Sequence, residues 1–166
     1  MILYSLAYTI KMSKKGSHQI KDYFDFVVPP LEGFWWQDGV KGIDYAHKER
    51  FNFISCIRMP EFVTDEVLAW AKKEAAIKKG LDFSPVKLLV LTEGKCVQIM
   101  HHGSYDDEPA TIAKMHQFIA KNDLGLDFSD QRRHHEIYLS NPQRTKLENL
   151  KTIIRLPVKE KKMKND

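Results

Sequence analysis

The order of the predicted elements repeats along the chain, and this repeat constrains the fold more than any other feature. The segment 57–60 (IRMP) recurs at 154–157 (IRLP), and in both places a proline ends a predicted strand. Each half contains a helix followed by two strands, and the second half has one further strand in front. The repeated unit is therefore strand–helix–strand–strand, with the first strand absent from the start of the chain. Two such units predict an α+β fold with antiparallel sheets, related by a pseudo-twofold axis around a central ligand cleft.

Three helices have recognisable start or stop signals. Residues 2–15 place apolar side chains at helical spacing and end in lysines before Gly16. Thr64 is a good N-cap and Gly80 a good C-terminal stop, which predicts a helix over residues 64–80. Pro109 suits the first turn of a third helix, which we expect to end near Asn122.

The strands are predicted from apolar or alternating runs that end at proline, glycine or asparagine. The turn signal Thr92-Glu93-Gly94 indicates an antiparallel hairpin between two of these runs. The predicted strands are residues 22–28, 31–36, 51–58, 86–91, 96–101, 134–139 and 150–158.

The length of 166 residues, 43% of them hydrophobic, is that of one domain with its own core. We expect a single domain over residues 1–158, made of a first half (1–63), a connecting helix (64–80) and a second half (86–158). The four lysines among residues 159–166 indicate a basic, disordered tail.

Charge and composition exclude several classes of partner. The net charge is +4, and only six of the 26 cationic residues are arginine, so we expect no nucleic-acid binding by this chain alone.

The sequence has neither a membrane span nor the features of a signal peptide. Cys56 and Cys96 are the only two cysteines, which indicates free thiols in a reducing cytoplasm. Nothing in the sequence specifies an oligomer, so we expect a monomer or a weak homodimer.

Glu136 is the first candidate functional residue. It lies in the middle of a predicted strand, on the same face as His134 and Tyr138. A carboxylate in so apolar a strand is costly unless it is paired or used. The alternative is a half-exposed strand on which Glu136 pairs with Arg132 or a lysine.

Aromatic residues are the candidate ligand-binding groups, because flat rings stack on flat ligands and attract cations. Adjacent Trp35 and Trp36 point to opposite faces of an extended segment, and alternation does not decide which one faces the cleft. Tyr105 precedes the third helix and could donate a proton to a ligand oxygen. The aromatic candidates are Trp35, Trp36, Tyr45, Tyr105 and Tyr138, and Tyr8 on the first helix could also face the cleft. Ordinary core packing is the alternative for each.

The histidines do not form a metal-binding pattern. His101-His102 and His134-His135 are adjacent pairs, and neighbours in a strand face opposite ways. His135-Glu136 is not part of an HExxH motif, because position 139 is leucine. The sequence also lacks a GxSxG elbow and a phosphate-binding loop, so we expect neither a metal nor a cofactor.

Five segments together resemble the GyrI-like small-molecule-binding domain family, in its stand-alone branch. The resemblance covers nearly the whole chain except the tail. The segments are PPLEGFWW (29–36), FNFISCIRMPEFVT (51–64), GKCVQIMHHGSYDDEPATI (94–112), RRHHEIYLS (132–140) and KTIIRLPVK (151–159).

This resemblance implies tandem strand–helix–strand–strand modules around a cleft that takes bulky, planar or cationic xenobiotics. It also implies a buried glutamate in the cleft, at the position of Glu136. The family includes the DNA gyrase inhibitory protein and the effector domain of multidrug-responsive transcription activators. Some stand-alone members hydrolyse the activated cyclopropane of DNA-alkylating natural products. Members carry a strand and a helix start before the position of Met1, and we expect this chain to lack both.

The residues and the resemblance leave two main functions open. In the first, the chain binds a flat hydrophobic or cationic small molecule, with Glu136 as the charged group, in a protective or sensing role. In the second, the chain is a hydrolase in which Glu136 is the general base for a water molecule. Tyr105 or Tyr138 then donates to the ligand carbonyl. A structural domain that takes no ligand is the third possibility.

Overall fold

The computed structural model describes residues 2–161. These residues divide into two compact units. The first unit consists of residues 2–30 and 56–90, and the second of residues 31–55 and 91–161. Residues 162–166, which hold most of the predicted tail, lie outside the described residues.

The first unit is built from two helices, α1 (Ile2–Lys11) and α2 (Asp65–Lys79). A 3₁₀ turn, Met12–Lys15, follows α1, so the predicted helix over residues 2–15 is confirmed. The Thr64 side chain accepts the N–H of Val67, and Gly80 ends α2 in the left-handed conformation at φ 64°. Buried apolar side chains from both helices and the segments around them form one core: Leu6, Ile10, Ile20, Phe62, Val63, Leu68, Ala71, Ala75 and Phe83.

The second unit is built around an antiparallel sheet that α3 (Glu108–Lys121) packs against. The strands are β1 (Glu32–Trp36), β2 (Asn52–Cys56), β3 (Cys96–His102), β4 (Leu124–Leu126), β5 (His134–Tyr138) and β6 (Lys151–Glu160).

The order of the sheet is β2-β1-β5-β6-β3, and the short strand β4 pairs with β6. Strands from the first half of the sequence therefore join strands from the second half. The antiparallel pairings of β1 with β5, of β5 with β6, and of β3 and β4 with β6 confirm the predicted α+β class. The core between α3 and the sheet contains Ile112, Met115, Ile119, Leu124, Ile154, Leu156 and Val158.

The predicted strand over residues 22–28 is wrong. Asp22 has a positive φ of 59°, and the segment is irregular, with no strand partner among residues 2–161. Its carbonyl and hydroxyl groups bond to α1 instead: Lys11 Nζ donates to the Phe26 carbonyl, and Tyr23 Oη donates to the Lys11 carbonyl. The rings of Tyr23, Phe24 and Phe26 all pack on Phe62, at centroid distances of 5.2–5.9 Å. The aromatic alternation therefore reflects packing around one ring and not strand pairing.

The predicted hairpin between residues 86–91 and β3 is also wrong. Val90 is 94% exposed, and residues 86–91 pair with no strand in the described part of the chain. The guanidinium of Arg132 donates to the carbonyls of Glu93 and Lys95, at 2.8 and 2.6 Å. Residues 93–95 are therefore held against the segment before β5, and β3 pairs with β6.

Two smaller differences concern the end of the sheet. The strand predicted to end at Val158 continues to Glu160, because β4 pairs with its last residues, Leu124 with Glu160. Strand β4 was not predicted, since three residues are too few to show an alternating pattern. Cys56 and Cys96 form no disulfide within the described residues. No helix among residues 2–161 combines the length and the apolar character needed to cross a bilayer.

Candidate functional site

Glu136 lies at the middle of β5 in the second unit and is 7% exposed. One carboxylate oxygen, Oε1, lies 2.8 Å from Nε2 of His134. The other, Oε2, accepts a hydrogen bond of 2.7 Å from the hydroxyl of Tyr138. The three side chains share one face of the strand, as alternation predicts. Hydrogen bonds of this kind stabilise the ionised form of a buried carboxylate.

The geometry around His134 assigns its proton. The side chain is 1% exposed, and its Nδ1 atom is buried without a hydrogen-bond partner among residues 2–161. A buried acceptor left unpaired is tolerated more often than a buried N–H left unpaired. The geometry therefore favours donation from Nε2 of His134 to Glu136, with Nδ1 as the acceptor left without a partner among the described residues.

Trp35 extends this chain of hydrogen bonds from the neighbouring strand. The pairing of β1 with β5 places Gly33 opposite Glu136 and Trp35 opposite His134. Trp35 Nε1 donates to Tyr138 Oη at 2.8 Å, and Tyr138 in turn donates to Glu136. A Cβ atom at Gly33 would lie 2.7 Å from Tyr138 Oη and 2.8 Å from Trp35 Nε1, so only glycine leaves room for this bond.

The structure separates the two adjacent tryptophans. Trp35 is on the same face of the sheet as Glu136, and its ring packs on Phe51 and Phe53, at centroid distances of 5.9 and 5.1 Å. Trp36 is on the opposite face, with the Arg133 guanidinium 3.4 Å from its ring centroid. Trp35 therefore belongs to the candidate site, and Trp36 does not contact it.

A second carboxyl group lies close to Glu136. Glu108, in the first turn of α3, is 3% exposed, and its Oε1 atom makes no hydrogen bond within the described chain. Burial raises the pKa of Glu108 to about 8, and the negative charge of Glu136 adds to the rise. The nearby hydroxyl of Tyr45 and the ammonium of Lys48 oppose it. The protonated form of Glu108 is therefore favoured at neutral pH.

The two predicted tyrosines lie beside these carboxyl groups. The rings of Tyr105 and Tyr138 meet edge to face with centroids 6.0 Å apart. Burial raises the pKa of both phenols, and the charges of Glu108 and Glu136 raise both further. Because Tyr138 already donates its proton to Glu136, it is not free to donate to a ligand at the same time.

The first unit contains one of the predicted ligand-binding residues, Tyr8. It lies on α1 in the first unit, is 52% exposed, and its ring lies 6.4 Å from that of Tyr4. Its contribution to ligand binding remains a prediction.

Two other histidines, His101 and His135, have structural partners. His101 bonds to Thr111 Oγ1 and the Ser104 carbonyl, at 2.8 and 2.9 Å. His135 lies between Glu32 and Glu93 on the face of β5 opposite Glu136. No group of three or more metal-ligating side chains within residues 2–161 is arranged to hold a metal ion.

Comparison with known proteins identifies the family. The model of the GyrI-like small-molecule-binding domain matches residues 3–159. The chain belongs to this family. The resemblance inferred from the five sequence segments is thereby confirmed.

Solved structures of similar proteins come from Listeria innocua. A hydrolase is 49% identical over 95% of this GyrI-like chain and 76% of its own, with a TM-score of 0.85. An uncharacterized conserved protein from the same organism is 51% identical over the same shares, with a TM-score of 0.87. A further structure described as a hydrolase is 49% identical, with a TM-score of 0.86. No match was found among the curated proteins.

Sequence reasoning missed Glu108 and did not weigh His134 as a partner of Glu136. Glu108 follows Asp106 and Asp107 and precedes Pro109, so it has the appearance of a helix-start acid that interacts with the helix dipole. Only the fold shows that the third acid of this run is buried against Glu136. His134 could have been found, because its place two residues before Glu136 puts it on the same strand face.

Proposed function

We propose that this GyrI-like chain binds a flat, hydrophobic small molecule in the second unit and hydrolyses it, with Glu136 as general base. One observation carries the proposal: a buried carboxylate is held in place by His134 and Tyr138 beside a second carboxyl group that keeps its proton. Paired carboxyl groups in opposite protonation states are the arrangement expected of an acid and a base.

Membership of a small-molecule-binding family supports the binding step. The rings of Trp35, Phe51, Phe53 and Tyr105 offer flat apolar surface near Glu136. Phe53 is exposed, so its face is open to a ligand. A planar compound would stack on these rings, and a positive charge on it would be complemented by Glu136.

The hydrolase names of two similar Listeria proteins support the chemical step. The substrate class that the family resemblance suggests is a DNA-alkylating compound with a cyclopropane conjugated to a carbonyl. Glu136 would take a proton from water as the water oxygen attacks the strained ring. The hydrogen bonds from His134 and Tyr138 hold the base in one orientation, and this lowers the entropy cost of reaching the reactive geometry.

Binding without turnover is the second candidate function. Both oxygens of Glu136 already accept a hydrogen bond, and this favours a stable negative charge over a strong base. In that case the chain sequesters or senses a cationic xenobiotic in the cytoplasm, the location that a content of only two cysteines favours.

Mass spectrometry of a cyclopropane-bearing alkylator after incubation with the protein separates these functions. We expect the compound to gain one water molecule with the wild type and with Glu148→Gln, a matched change at an exposed site. Glu136→Gln should still retain the compound but lose about 10²–10⁴-fold in turnover. Retention without a mass change would leave only the binding function. If the protein neither retains nor converts the compound, both functions are contradicted.

A further inference from the structure

We propose that the first unit contains a second ligand site, which binds a flat organic anion: an aromatic ring that carries a phosphate or a carboxylate. The site is a pocket of about 570 Å³ at the end of α1. Pockets of roughly 300–1,000 Å³ are the size that holds small molecules. All the residues that line it belong to the first unit, so this inference does not depend on the proposed function of Glu136.

Both helices of the first unit contribute to the pocket. Trp70, Glu74 and Lys78 follow one another at intervals of four residues on α2, so they lie on one face of that helix. The end of α1 and the 3₁₀ turn after it supply further lining residues. Gly16 ends the turn in an extended conformation at ψ −173°, and residues 17–18 then line the pocket as well. The site is therefore built on two helices that share one buried core.

A pair of stacked rings forms the flat part of the pocket. The imidazole of His18 lies on the indole of Trp70, with ring centroids 4.1 Å apart and an angle of 10° between the planes. Trp70 packs against the core of the first unit, which holds its ring in place. His18 is exposed, and its ring makes no hydrogen bond within residues 2–161. The outer face of His18 is thus available for a third flat ring to stack on.

Lys15 brings a positive charge to the pocket. Its neighbours Lys11 and Lys14 both form ion pairs with Asp25, at N–O distances of 3.1 and 2.6 Å. Lys15 lines the pocket and forms no ion pair with any residue that the structure describes. Its ammonium group is therefore free to donate hydrogen bonds to a ligand. Bonds from an ammonium group to an oxyanion are among the stronger hydrogen bonds.

The charges around the pocket favour an anion. Lys78 lies 3.5 Å from the carboxylate of Glu74, one turn earlier on α2. Among the described residues, two lysines and one glutamate line the pocket, which gives the lining a net charge of +1 when His18 is counted as neutral. An anionic group bound by Lys15 leaves the pair of Lys78 and Glu74 intact and balances the remaining charge.

The end of α1 is a poor site for a cation. The carboxyl end of a helix attracts cations through carbonyl groups that have no partner. Here the Lys11 carbonyl accepts the hydroxyl of Tyr23 at 2.7 Å, and the Ser13 carbonyl accepts the N–H of Gly16 at 2.9 Å. Because these carbonyls are already bonded, the ammonium of Lys15 decides the sign of the ligand.

Isothermal titration calorimetry of the full chain with naphthyl phosphate tests the site, with naphthol and inorganic phosphate as the two halves of the probe. We expect naphthyl phosphate to bind at least about 10-fold tighter than either half, because it alone meets both the stacked rings and the lysine. Added salt should weaken the binding of naphthyl phosphate, since the attraction between exposed charges is screened.

Single changes separate the charge from the rings. Lys15→Gln should weaken the binding of naphthyl phosphate about 2–5-fold, and Glu74→Gln should strengthen it by a similar factor, because it removes a negative charge from the lining. His18→Ala should weaken binding about 2–10-fold, whereas His18→Phe keeps a flat ring and should keep the affinity. The matched control is Lys21→Gln, an exposed lysine of the same unit outside the pocket, which should change nothing.

Other outcomes would overturn the inference. Equal weakening by Lys15→Gln and Lys21→Gln would mean that the overall charge attracts the anion. Binding that changes in Glu136→Gln and not in His18→Ala would place the ring of the probe in the second unit. A chain that does not bind naphthyl phosphate would have no such site. The hydrolase proposal would stand in each case, because the probe carries no cyclopropane.

Discussion

The polar groups on the two faces of β5 differ in the partners they have. On one face, His135 has a carboxylate partner at each ring nitrogen, Glu32 Oε2 at 2.8 Å and Glu93 Oε1 at 2.7 Å. Arg155 bonds to the second oxygen of Glu93 at 2.7 Å, so both carboxylates beside His135 have hydrogen-bond partners. On the other face, Glu136 is bonded to His134 and Tyr138, and the buried carboxyl group of Glu108 lies near it.

Three buried atoms near Glu136 make no hydrogen bond within residues 2–161: His134 Nδ1, Glu108 Oε1 and Tyr45 Oη. A fourth such atom, Arg133 Nε, lies on the opposite side, where the Arg133 guanidinium packs on Trp36. A protein built only for stability would pair such groups or replace them, because each unpaired polar atom costs roughly 1–3 kcal/mol. On the opposite face, both ring nitrogens of His135 and both carboxylate oxygens of Glu93 have partners. This difference supports the proposal that the Glu136 face serves ligand chemistry, while the pairs around His135 stabilise the sheet.

The largest expected effect is a loss of stability on the face of β5 that carries His135. His135→Leu leaves the carboxylates of Glu32 and Glu93 without their shared partner, which should lower the free energy of unfolding by about 3 kcal/mol. Glu136→Gln should change it by less than 1 kcal/mol, by roughly the cost of one altered hydrogen bond. Urea denaturation of both variants measures the two changes in the free energy of unfolding. Equal losses would contradict the difference between the two faces.

The second expected effect is a gain of stability when Glu108 is replaced. The folded-state pKa of Glu108 lies above its unfolded value, so its stabilising contribution is complete at low pH and is lost as the pH rises toward about 8. Glu108→Gln should therefore stabilise the protein by about 2 kcal/mol at pH 8 and have little effect near pH 4. Thermal or urea unfolding at the two pH values measures this. A variant less stable than the wild type at pH 8 would show that Glu108 is a structural group.

A smaller effect tests the space beside Glu136. Gly33→Ala places a Cβ atom within 3 Å of Tyr138 Oη and Trp35 Nε1, so one of these groups must move. We expect a loss of about 1–2 kcal/mol in the free energy of unfolding, together with weaker retention of the ligand. The matched change Gly16→Ala meets only ordinary contacts and should leave ligand retention unaltered.

The smallest effect concerns the far end of the hydrogen-bond chain. Trp35→Phe keeps an aromatic ring near Phe51 and Phe53 but removes the N–H that bonds to Tyr138. Stability should fall by about 1 kcal/mol, and turnover should fall more than ligand retention. A loss of retention without a change in kcat would mean that Trp35 acts only as a stacking surface.

Local signals explain which parts of the fold could be predicted. Helix α2 was predicted at both ends, because Thr64 and Gly80 act through contacts within one turn of the helix. The segment over residues 22–28 has the same kind of alternation as a strand, but its rings pack on Phe62 from a distant part of the sequence. The repeated segments also differ: residues 154–157 lie in β6, whereas residues 57–60 follow β2 outside any strand.

The site could be predicted only in part for a related reason. Alternation placed Glu136 and Tyr138 on one face of β5, because that depends on the strand alone. The choice between Trp35 and Trp36 needed the register with β5, in which Trp35 lies opposite His134. Glu108 becomes part of the site only through the packing of α3, which no local pattern encodes.

The most direct test of the central claim is the transfer of oxygen from heavy-oxygen water into the product, followed at saturating ligand for the wild type and Glu136→Gln. We predict that the wild-type product carries the label, and that Glu136→Gln forms it at least about 100-fold more slowly while still holding the ligand. Labelled product formed by Glu136→Gln at the wild-type rate would show that the chemistry lies elsewhere than on this face of β5.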